Sequence, residues 1–101
     1  MNMPAILVGI IVLATAAPVL AATDCSRATT NVEKLLCSNQ RLAEADQRMA
    51  LAFRRAIHRG GNPGTLMETQ RIWIDDVRDV CNEVECMLKA YEGRISDLDS
   101  R

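Results

Sequence analysis

No charged side chain occurs before Asp24; all 12 Lys/Arg and all 13 Asp/Glu lie between Asp24 and Arg101. That boundary excludes one uniform globule spanning the whole chain. Apolar residues fill 16 of the 21 positions in Met1–Ala21 but only 33 of the remaining 80. About 80 residues are left for a folded part, which makes one small domain and excludes a multidomain enzyme. A net charge of −1 speaks against a nucleic-acid binder, which is normally clearly basic.

The apolar front ends in small residues, Val19-Leu20-Ala21-Ala22, with Pro18 breaking the run just before them. Small side chains at Val19 and Ala21 fit a signal peptidase site, so residues 1–21 read as a signal peptide with cleavage between Ala21 and Ala22. Met1-Asn2 supplies no basic side chain, which is unusual for such a segment. The rival reading is a retained membrane anchor, since about 20 apolar residues can span a bilayer.

Four cysteines lie beyond the boundary: Cys25, Cys37, Cys81 and Cys86. An even count in a short exported chain points to two disulfides, with three possible pairings. The sequence-local pairing, Cys25 with Cys37 and Cys81 with Cys86, is preferred. The cysteine spacings do not match zinc knuckles, and His58 is the only histidine, so no metal site is expected. Staples suit a chain with one Trp, one Tyr and one Phe, because so thin a core supplies little burial. Oxidised cysteines place the domain in the periplasm or outside the cell.

Residues 22–101 read as helices. No alternating run of β-branched residues argues for a strand. Thr30 and Glu33 have capping-box spacing and open a short helix through Cys37, while Ser38 and Asn39 can cap the next. Leu42, Ala45, Met49, Ala52, Phe53, Ala56 and Ile57 then form one stripe at steps of three and four. Gly60–Gly64 stops that helix. Thr65 and Glu68 have the spacing of a second capping box, followed by a stripe of Leu66, Gln70, Trp73, Val77 and Val80. A break at Cys81–Glu85 precedes a last stripe of Val84, Leu88, Tyr91, Ile95 and Leu98. The expected fold is all-α: a small disulfide-stapled bundle of three amphipathic helices plus a short N-terminal helix.

Charge is segregated along this bundle. Residues 40–59 carry a net +3, and residues 68–85 a net −4. Asp75 and Asp79 fall opposite Val77 on a helical wheel and so face solvent. Ile72 also falls off the core stripe, near Asp76 and Asp79. With Glu83 and Glu85 in the Cys81–Cys86 loop, Ile72, Asp75, Asp76 and Asp79 outline a surface for a basic protein. The plainer alternative is an ordinary solvated face.

Chemistry is scarce. No serine stands in a nucleophile elbow, disulfides would remove the thiols, and His58 reads as a solvated helix-end residue. No phosphate-binding glycine motif and no cofactor motif occurs, so a non-enzyme is expected.

The motif residues come in a recognisable order: Asp24-Cys25-Ser26; Val32-Glu33-Lys34-Leu35-Leu36-Cys37-Ser38; Leu42 and Asp46; Gln70-Arg71-Ile72-Trp73-Ile74; Arg78 and Cys81; Cys86; and Tyr91-Glu92-Gly93-Arg94-Ile95 with Leu98. This order resembles the LprI-type lysozyme inhibitor family across Asp24 to Leu98. The interval from Trp73 to Arg78 is one residue longer than the commonest form of the pattern. The resemblance implies an exported, disulfide-bonded helical domain that binds lysozyme, a basic protein whose cleft holds two catalytic carboxyl groups. An acidic rim would steer such a partner, but plugging the cleft would need an apolar anchor or a donor such as Ile72, Arg71 or Arg78. Among the motif residues, Glu33 belongs to the capping box and Trp73 and Tyr91 read as core anchors. Asp46, Gln70 and Arg94 read as a polar network between helices. A periplasmic envelope-stress or chaperone-like binding protein without lysozyme inhibition is the alternative. A membrane-tethered subunit is a third, if the front segment is retained.

Overall fold

The computed structural model describes Asp24–Arg101; the expected signal peptide and its cleavage point lie outside the described residues. The domain is all-α, with no strand among the described residues and two disulfides. A single 3-10 turn, Cys25–Arg27, leads into α1 (Asn31–Ser38), α2 (Gln40–His58) and α3 (Pro63–Trp73). A π-helical turn over Ile74–Arg78 and a short link lead into α4 (Val84–Asp99).

The helix starts follow local chemistry. The Thr30 hydroxyl accepts from the Glu33 amide, and the Glu33 carboxylate accepts from the Thr30 amide, so the first capping box forms. Asn39 caps α2 by accepting from the Leu42 amide. The expected second capping box at Thr65 and Glu68 does not form. Pro63 has no amide to lose and a φ already suited to a first turn, so α3 begins there and Asn62 caps it by accepting from the Thr65 amide. The end of α2 needs its two glycines. Gly60 sits at φ +98, and its amide donates to the Ile57 carbonyl while the Gly61 amide donates to Ala56. A Cβ on Gly61 would lie 2.7 Å from Leu66 Cδ1 and 2.8 Å from the Ala56 carbonyl oxygen.

Helices α2 and α4 run parallel. Arg41 pairs with Glu85, Arg48 with Glu92 and Arg55 with Asp99, each 44 residues apart. Steps of seven on both helices keep the same faces together through two turns at a time. Helix α3 must therefore run antiparallel to both. At the far end Arg59 donates to the Leu98 carbonyl at 2.6 Å, placing a cation on the carboxyl end of α4.

The core collects Leu42, Ala45, Met49, Ala52, Phe53 and Ala56 from α2, with Leu66 and Trp73 from α3 and Met87, Tyr91 and Leu98 from α4. Two expected stripes are corrected. On α4 the buried line is Met87, Ala90, Tyr91, Arg94 and Leu98, while Val84, Leu88 and Ile95 pack half-buried beside it. After Trp73 the expected core positions Val77 and Val80 are instead 44% and 65% exposed. The cause is the π turn, in which the Asp79 amide donates to Ile74, five residues back, at 2.9 Å. Adding one residue to the turn rotates the following positions, so Arg78 rather than Val77 follows Trp73 inward.

Candidate protein-binding face

The two disulfides join the cysteines that are close in sequence, Cys25 with Cys37 and Cys81 with Cys86, and each pair has Cα atoms 5.6 Å apart. The first ties the 3-10 turn to the end of α1. The second ties the chain just after the π turn to the first turn of α4. Cys81 is buried and Cys86 is exposed, so this bridge anchors the link between π turn and α4 to the core from one side.

A polar chain holds the π turn from the other side. The Tyr91 hydroxyl, fully buried on α4, donates to Asp46 of α2 at 2.8 Å. Arg78 reaches back with Nη1 3.5 Å from that hydroxyl, while its Nε donates to Asp79 at 2.8 Å. Burial and the Asp46 carboxylate both push the Tyr91 hydroxyl above its ordinary value, against the opposing pull of Arg78, so it stays a donor. Arg78 is therefore a tether, with its side chain largely covered, and not a projecting plug.

Gln70 and Arg94 meet in the core one helix over. Arg94 Nε donates to Gln70 Oε1 at 2.8 Å, and its other nitrogens reach Thr69 and Asp97. Gln70 in turn donates to the Met49 sulfur. Burial pulls the Arg94 guanidinium below its ordinary value, with Asp97 working the other way. Trp73 and Tyr91 meet edge to face, with ring centroids 5.1 Å apart, and the indole N–H donates to the Ala90 carbonyl. All six motif residues, Glu33, Asp46, Gln70, Trp73, Tyr91 and Arg94, therefore have structural partners in the fold.

The acidic residues are on the outside. Ile72 is 51% exposed, and Asp75, Asp76 and Asp79 lie exposed on the π turn and its edge. Glu83 is the exposed residue just before α4, and Glu85 stands in its first turn, where it pairs with Arg41 at 3.1 Å. Val77 and Val80 emerge on the same stretch, which the helical wheel had placed in the core. This stretch sets exposed acids beside exposed apolar side chains; it holds no nucleophile beside a base, and no group of three or more potential metal ligands occurs among the described residues. No protein-family model matches the chain, and no curated protein and no solved structure matches it.

Proposed function

We propose that this is an exported lysozyme-inhibitor-like protein that acts by stoichiometric, non-catalytic binding to a basic protein. The observation that supports this reading is the π turn. It turns Val77 and Val80 toward solvent beside the exposed Ile72 of α3, within a stretch carrying Asp75, Asp76, Asp79, Glu83 and Glu85. Acids on the rim raise the encounter rate with a cationic partner, and uncovered apolar side chains supply the desolvated contact that charge alone does not. π turns interrupting α-helices are frequent at functional sites. Two disulfides suit an oxidising compartment outside the cytoplasm, where lysozymes act.

Purified, oxidised protein tested in a lytic assay against chicken-type, goose-type and bacterial-type lysozymes decides the matter. Inhibition is expected at micromolar protein, weakening as salt rises and weakening further in Val77→Asp. Full lysis by all three enzymes in the presence of excess protein refutes the reading.

A further inference from the structure

We infer that the groove between the π turn and α4 is the seat of a cationic loop from a protein partner, its backbone crossing Gly93. This inference deepens the lysozyme reading and rests on it only for the identity of the partner.

Two adjacent depressions share Val77, Lys89 and Ala90 and so form one groove. Its floor is apolar: Trp73, Val77, the Cys81–Cys86 bridge, Ala90 and Gly93. It is open to solvent along its length, which suits a protein segment better than an enclosed small molecule. Charge sets the occupant. Glu83 and Glu85 line one end, where Glu85 also pairs with Arg41. At the other end Asp97 is already held by Arg94 and Arg101. Lys89 and the largely buried Arg94 are the basic residues of the groove's lining. Both acids free of Arg94 stand at the Glu83 end, so the partner places Lys or Arg there and an apolar side chain over Val77.

Gly93 gives the groove a second feature. It lies inside α4 without a positive φ, and a Cβ built on it meets no atom within 4 Å. The fold therefore has no need of glycine there, although helix-interior glycine is destabilising relative to alanine. A bare backbone at the floor of an open groove lets another backbone approach closely.

Amide NMR titration of the purified, oxidised protein tests this with two probes: chicken-type lysozyme, and a short peptide with arginines flanking a leucine. The variants are Gly93→Leu, which fills the groove without touching the core, Gly93→Ala as the milder filling, and Leu51→Gln on the outer face of α2 as control. Both probes are expected to shift the amides of Val77, Ala90 and Gly93. Gly93→Leu is expected to weaken binding by about tenfold or more, as filling a central contact does, while Leu51→Gln leaves it unchanged. Lysozyme binding equally to wild type and Gly93→Leu overturns the groove and leaves the lysozyme reading standing. Peptide binding at the groove with no binding of lysozyme upholds the groove and removes that partner. No groove amide shifted by either probe overturns the groove.

Discussion

The seam between α2 and α4 and the stretch from Ile74 to Glu83 are built on opposite terms. Along the seam, Leu42, Ala45, Met49, Met87, Tyr91 and Leu98 are buried, and three arginine–acid pairs line its edge. From Ile74 to Glu83 only Cys81 is fully buried. The seam is held by filled space. The stretch is held by ties: one disulfide, the Arg78–Tyr91–Asp46 chain and the i→i−5 bonding of the π turn. The first described residues, 24–30, resemble the stretch: none is buried, and Cys25–Cys37 and a capping box tie them down. A region held by ties can leave its side chains outward, which is what a binding surface requires.

The largest test of this contrast compares one residue from each side. Leu42 is fully buried, so Leu42→Ala is expected to cost about 3 kcal/mol, the usual loss of transfer free energy plus cavity. Val77→Ala, on the exposed turn, is expected to cost under about 0.5 kcal/mol. Urea unfolding of both variants measures the difference. Equal losses would mean that the turn contributes packing the contrast denies it.

The staples come next. The chain-entropy model assigns about 3 kcal/mol to the 12-residue separation of Cys25 and Cys37 and about 2 kcal/mol to the five-residue separation of Cys81 and Cys86. With Ser at both Cys81 and Cys86, the melting temperature should fall. Amide exchange should speed up from Ile74 to Glu83, while the amides of α2 and the middle of α4 stay protected. Equal loss of protection along the seam would show that the two regions unfold as one unit.

These margins were also where sequence and structure parted. The α2 stripe was legible because an uninterrupted 3.6-residue period maps directly onto one buried face, from Leu42 to Ala56. The capping box at Thr30 and the glycine stop at Gly60 were legible because both rest on contacts within a few residues. Val77 and Val80 were not, since one extra residue in the turn changes the phase of every position after it. The start of α3 was misread because Asn62-Pro63 competes with Thr65 for the same role, and proline decides that competition by fixing φ. The parallel register of α2 and α4 was written in Arg41, Arg48 and Arg55 against Glu85, Glu92 and Asp99. It can be recognised only once the two helices are known to be neighbours. At the candidate face the acids and Ile72 were legible as exposed charge around an off-stripe residue. The groove was not, because Gly93 and Ala90 acquire meaning only when the π turn is set opposite them.

The smallest effect belongs to the capping box at the first stapled margin. Glu33 accepts hydrogen bonds from the amides of Thr29 and Thr30, and these hold its carboxyl below the ordinary value of 4.5. Protonation is thus harder in the folded state than in the unfolded one. The resulting stability is fully present above about pH 4.5 and is lost as the pH falls through the lower folded-state value. Glu33→Gln keeps an acceptor but never carries the charge, so it should melt slightly below wild type at pH 6, with the gap narrowing as the pH falls below 4.5. A gap that does not narrow would mean that Glu33 acts through its shape and not its charge. Because α1 touches the bundle mainly through Val32 and Leu36 packing near α2, the change should appear in the amide exchange of α1 and leave the seam unaltered.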